Sequence, residues 1–124
     1  MTGRYTAMAL ALLTPLLLAP TPGDIGGCND SRGTLDLSLF SADRQRLDCE
    51  RCKECGVPTS RCARACGDLD PKYVVLPVTC VPIQHDGRVC LDALDNANCT
   101  DYARYVADVG AEAPAECVFC KGTP

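Results

Sequence analysis

Eleven cysteines in a chain of 124 residues constrain this sequence more than any other feature. Ten of them fall between Cys49 and Cys120, and the eleventh is Cys28. A chain this short buries too little apolar surface to be stable by its core alone, and thiols at this density mark chains that are oxidised into disulfides outside the reducing cytosol. The expected fold class is therefore a small disulfide-rich domain. It should be mainly α, built of short helical hairpins, with one or two short β-strands.

The N-terminus is consistent with export. Arg4 supplies a short positive region, and residues 5–19 (YTAMALALLTPLLLA) are apolar and uncharged. A run of roughly 15 residues suits the apolar region of a signal peptide and is shorter than the ~20 a membrane-spanning helix needs. Pro15 also interrupts it. Cleavage before Asp24 gives a signal peptide of residues 1–23 and a single Cys-rich domain over residues 24–124. A rival boundary follows Gly27, because Ile25-Gly26-Gly27-Cys28 resembles a bacterial lipobox, whose cysteine is lipidated and becomes the first residue. Parity favours the rival: with Cys28 acylated, ten cysteines remain for five bridges. The expected location is secreted, periplasmic or at the cell envelope, with membrane attachment only through a lipid at Cys28.

Charge narrows the partners. Removing residues 1–23 takes away Arg4 alone, leaving 11 basic against 16 acidic side chains, a net of −5. That balance excludes nucleic acid, which selects for basic stripes. The absence of Trp leaves little aromatic surface for stacking. An envelope or secreted protein partner is the remaining expectation.

Along the chain, Leu35, Leu37 and Leu39 alternate with Asp36 and Ser38, predicting a half-buried strand over residues 34–40. Ser41 is then the expected N-cap of a helix running to Cys55, with Gly56 at its C-terminal cap and Pro58 beyond. Thr59 or Ser60 caps a short helix over residues 61–66. Residues 73–82 (YVVLPVTCVP) form at most an edge strand or extended connector, because Pro77 lacks an N–H. Asp86-Gly87 predicts a turn, followed by a helix of about three turns through Val89, Leu94 and Ala97. Thr100 caps the next helix, on which Tyr102, Tyr105, Val106 and Val109 make one stripe closed by Gly110. Residues 115–120 add a last turn. The expected apolar anchors are Leu35, Leu37, Leu39, Phe40, Leu47, Leu76, Leu91, Leu94, Val106 and Phe119.

Cys49, Cys52, Cys55, Cys62 and Cys66 form the densest cluster. Cysteines three or four apart share a helix face, so two such segments can oppose their thiols. They then staple a helical hairpin, for example through Cys52 or Cys55 bonded to Cys62 or Cys66. The alternative is a thiolate site for zinc or copper made of the same five residues. An iron–sulfur opening fails because Thr59 stands where its fourth cysteine belongs. Cys80, Cys90, Cys99, Cys117 and Cys120 complete the ten assigned to disulfides. Roughly 945 connectivities are open to ten cysteines, and spacing alone selects none of them.

Catalytic groups are scarce. His85 is the only histidine, and its neighbour Asp86 points elsewhere, as adjacent residues do, so an exposed position in a turn is expected for it. No catalytic residue and no cofactor are assigned. The segments Cys90-Leu91-Asp92-Ala93-Leu94, then Cys99, then Pro114-Ala115-Glu116-Cys117-Val118-Phe119-Cys120, resemble short Cys-rich exported lipoproteins of high-GC Gram-negative bacteria. That resemblance covers the last 40 or so residues and the export signal. It implies an envelope location and no known activity. The functional expectation is a non-enzymatic, disulfide-stapled binding or structural module. Its alternatives are thiolate metal binding, and a secreted inhibitor or effector working through an exposed loop over residues 81–88.

Overall fold

A computed structural model of the chain describes residues 32–120. The signal-peptide boundary and Cys28 lie outside the described residues. The element order is α1 (Leu37–Cys55), α2 (Ser60–Ala65), α3 (Gln84–Asp95), α4 (Cys99–Tyr105) and a final 3-10 turn (Ala115–Cys117). The long α1 is the organising element: α2, α3 and α4 all pack on it, and the 3-10 turn packs on α3.

The strand expected over residues 34–40 is replaced by the start of this helix. The Asp36 carboxylate accepts hydrogen bonds from the backbone N–H of Ser38 at 3.0 Å and of Leu39 at 3.1 Å, so Asp36, not Ser41, is the N-cap. What remains of strand structure is one antiparallel bridge, Thr34 to Ile83. It is flanked by Leu35 N–H donating to the Pro82 carbonyl at 2.9 Å and Gln84 N–H donating to that of Gly33 at 2.8 Å. The leucine alternation fails for a simple reason: Leu37 and Leu39 stay exposed, and the helix buries the face that begins at Phe40.

The C-terminal end of α1 is as the sequence predicts. Gly56 adopts φ 63°, a left-handed cap in which its N–H reaches the last-turn carbonyls. Thr59 caps α2 through its hydroxyl, which accepts from Cys62 N–H at 3.2 Å.

Asp86 and Gly87 are not a turn; both lie in the first turn and a half of α3. The Asp86 carboxylate reaches back to Ile83 N–H at 3.1 Å and fixes the helix start. Gly87 allows close approach: a Cβ there would sit 2.6 Å from Leu35 Cδ1 and 3.2 Å from Phe40 Cδ2. Helix α4 is capped by Asn98, not Thr100, and ends at Tyr105. The expected stripe therefore stops at Val106, and Val109 is 90 % exposed.

Five disulfides staple these pieces: Cys49–Cys66, Cys52–Cys62, Cys55–Cys99, Cys80–Cys120 and Cys90–Cys117. Two close the α1–α2 hairpin, and two tie the 3-10 segment to α3 and to the connector before it. Cys55–Cys99 alone joins the first group of cysteines to the second. Around these sulfurs the core gathers Phe40, Leu94, Tyr102 and Val106, with Leu35, Leu47, Leu91 and Phe119 partly buried against them. Phe119 meets Phe40 edge-on at 6.2 Å.

Candidate functional site

The densest polar constellation lies inside the protein, on the buried face of α1. Phe40, Ser41, Arg44, Gln45, Asp48, Arg51 and Cys52 recur at three- and four-residue spacing, and most of them are polar. Asp48 is completely inaccessible to solvent. Arg44, one turn earlier, donates from Nε to both carboxylate oxygens at 3.0 Å. The Tyr102 hydroxyl of α4 donates to Oδ1 at 2.6 Å, and the Tyr73 hydroxyl of the connector donates to Oδ2 at 2.7 Å. Arg61 of α2 adds a longer contact from Nε to Oδ2 at 3.4 Å. One carboxylate thus gathers four side chains drawn from α1, α2, α4 and the connector.

A buried carboxylate survives only when paired and fully hydrogen-bonded. Asp48 meets both conditions. The same environment acts on its partners. Burial, reinforced by the Asp48 charge and hydrogen bond, pushes the Tyr73 hydroxyl up to about 12, with Arg61 opposing. Burial raises Tyr102 further still, again with Asp48 adding to it and Arg44 opposing. Both tyrosines remain protonated donors at neutral pH. With every Asp48 oxygen engaged internally, the cluster clamps the elements together.

Its neighbours on α1 extend the same device. The buried Gln45 side chain donates to the carbonyls of Arg64 at 3.3 Å and Asp68 at 2.7 Å, and accepts from Asp70 N–H at 2.7 Å. It fastens the chain where it leaves α2. The Ser41 hydroxyl bonds Val74 through both its N–H, at 2.9 Å, and its carbonyl, at 3.4 Å. The Arg51 guanidinium lies 5.3 Å over the Tyr102 ring and donates to the Ala97 carbonyl before α4.

The cysteines nominated from the sequence are brought together in pairs. Cys49, Cys52, Cys55, Cys62 and Cys66, the alternative metal ligands, are engaged in three disulfides, and a disulfide sulfur is not the thiolate a metal requires. Among the described residues no group of three or more His, Cys, Asp or Glu side chains is arranged to hold a metal ion. His85 is exposed, on α3 instead of in a turn. The loop expected over residues 81–88 is in large part the first turns of α3.

The exposed loop lies just before it. Residues 74–82 carry Val75, Val78 and Val81 at 76, 99 and 69 % exposure. Val78 tops a β-turn closed by Cys80 N–H donating to the Pro77 carbonyl at 2.9 Å, and the Cys80–Cys120 disulfide anchors its base. Together with Leu37 and Leu76, Val78 and Val81 line an apolar concavity of about 250 Å³. A second cleft of about 230 Å³ meets it at Leu35 and opens beside Leu39 and Phe40. An apolar face bordered by the charged Asp36, Asp43 and Arg88 thus lies beside the N-terminal end of α1, where the sequence predicts only an edge strand or extended connector over residues 73–82.

Fold and site define a small helical module stabilised by disulfides. Among the described residues no helix is long and apolar enough to cross a membrane. The bridge density points to an oxidising, extracytoplasmic environment. No family model, curated protein or solved structure matches this chain.

Proposed function

We propose that this protein is an exported module of the cell envelope that works by binding, not by catalysis, and that it is tethered through a lipid on Cys28. The observation that carries this reading is the combination of a closed interior and an exposed apolar loop on a disulfide-fixed frame. Both oxygens of the buried Asp48 carboxylate are engaged internally, while Val75, Val78 and Val81 face outward from a loop pinned by Cys80–Cys120. A rigid apolar surface costs little conformational entropy when it engages a partner. The cysteine count supports the tether. The ten cysteines from Cys49 to Cys120 pair with one another, and Cys28 is the eleventh of the sequence.

The test is the intact mass of the protein from its native host, reduced and non-reduced, with thiol alkylation. A deficit of ten hydrogens, two for each of the five bridges, and a diacylglyceryl increment on a chain beginning at Cys28 is the expected result. Alkylatable thiols at Cys49, Cys52, Cys55, Cys62 and Cys66, protected until a chelator is added, would overturn it in favour of thiolate metal binding.

A further inference from the structure

We infer that the apolar face at the N-terminal end of α1 rests on the lipid bilayer, with the Val75–Val78–Val81 loop entering the interfacial region. The inference deepens the function proposed above and rests on its lipid tether at Cys28. Three observations lead to it.

The first is reach. Five residues separate Cys28 from Thr34, six steps that span at most about 20 Å of fully extended chain. Thr34 itself lines the apolar concavity. A lipid on Cys28 therefore holds this end of the domain beside the membrane. The 19 residues of α1 extend about 28 Å from it, placing the other end well away. That far end carries Val109, whose neighbour Asp108 accepts from Ser60 N–H at the start of α2.

The second is chemistry. Residues 73–84 carry no charged side chain, and three of their valines are more than two-thirds exposed. Leu37 and Leu39 continue the surface from α1. Asp36, the acid within this face, is occupied with the N–H groups of Ser38 and Leu39. An uncharged apolar loop bordered by Asp36, Asp43 and Arg88 fits the boundary between headgroups and acyl chains, with the valines on the acyl side and the charges in the headgroup layer. The net acidic balance of the chain selects zwitterionic over anionic lipid.

The third is what remains to cover the face. Once the N-terminal apolar run has been removed, the chain before Arg32 offers Ile25 at most as an apolar side chain, and nothing apolar if it begins at Cys28.

The absence of tryptophan makes the test direct, since one introduced Trp is the only one. The full chain bearing Val78→Trp, or Val109→Trp as the distal control, is produced in its native host, checked for the lipid by mass, and mixed with phosphatidylcholine vesicles containing brominated acyl chains. The expected result is a blue shift and loss of most emission for V78W, with V109W unchanged. If the lipidated protein binds vesicles and neither Trp is quenched, the tether stands and the bilayer-facing surface is overturned. If the mass shows no lipid, the tether fails; quenching of V78W alone then still supports the face, and no quenching overturns it. A concentration-dependent blue shift of V78W without vesicles would assign the face to a second copy of the chain and overturn the proposal.

Discussion

The Tyr102 hydroxyl lies 2.6 Å from Oδ1 of Asp48, fifty-four residues earlier in the chain, and neither residue touches solvent. A hydrogen bond to a buried charged acceptor is worth ~1.5–3 kcal/mol, against about 1 for a neutral pair. Tyr102→Phe should therefore lower stability by about that amount in oxidising denaturant titrations. Asp48→Ala, which leaves Arg44 and Arg61 without their counter-charge, should cost ~3–5 kcal/mol. A Tyr102→Phe protein as stable as the parent would remove the Asp48 cluster from any role in holding α4 to α1.

The same cluster sets a response to alkali. Tyr73, pushed up to about 12, and Tyr102, raised further, both ionise later in the folded protein than in the unfolded chain, where tyrosine sits near 10. Their contribution to stability is fully present below pH 10 and is lost as pH climbs from there toward and beyond 12. Unfolding midpoints measured from pH 8 to 11.5 should be flat and then fall above 10. Tyr73→Phe should blunt that fall. An unchanged slope in this variant would contradict the assignment.

The bridges are not equivalent. With Cys52–Cys62 intact, Cys49–Cys66 closes only a small additional ring, whereas Cys55–Cys99 closes a 44-residue separation and is the one bond between the two cysteine groups. Loop-closure entropy gives ~2.5 kcal/mol for the first and ~4 kcal/mol for the second. The double variant Cys55→Ala/Cys99→Ala should thus unfold at lower denaturant than Cys49→Ala/Cys66→Ala. The reverse order would mean that the nested hairpin, not the cross-link to α4, limits stability.

Gly87 reverses the usual helix rule. Glycine within a helix is ordinarily worse than alanine by ~0.5–1 kcal/mol. Here a methyl would meet Leu35 Cδ1 at 2.6 Å, which that half-buried side chain can turn to relieve, and Phe40 Cδ2 at 3.2 Å in the core. Gly87→Ala should therefore lose the usual gain and destabilise by ~1 kcal/mol, the low end of the overpacking range. Adding Leu35→Ala should recover part of the loss in a double-mutant cycle.

How the sequence relates to this structure is clearest on α1. Its C-terminal end was legible because Gly56 and Pro58 act locally. Its start was misread because the alternating Leu35, Leu37 and Leu39 imitate a strand, while the residue that decides, Asp36, acts through two backbone N–H groups. Its buried face escaped notice for a different reason. Hydrophobic periodicity finds apolar stripes, and this stripe is Ser41, Arg44, Gln45, Asp48 and Arg51. Polar residues at helical spacing ordinarily mark a solvated face, and only partners far along the chain turn them inward. Tyr73 and Tyr102 are two such partners, and their distance from Asp48 in sequence hides the relation.

By itself the sequence determined the class: a cysteine density that calls for disulfides, a net acidic balance, helices ended by local caps, and an N-terminal run of export character. Those are properties of composition and of neighbours within a turn or two. Only the tertiary structure decided which cysteines pair, which face of α1 is buried, and that the valines of residues 74–82 stand outward beside Leu37 and Leu39. Each of these depends on contacts across tens of residues, where chain entropy permits many arrangements and packing and hydrogen bonding around Asp48 select one.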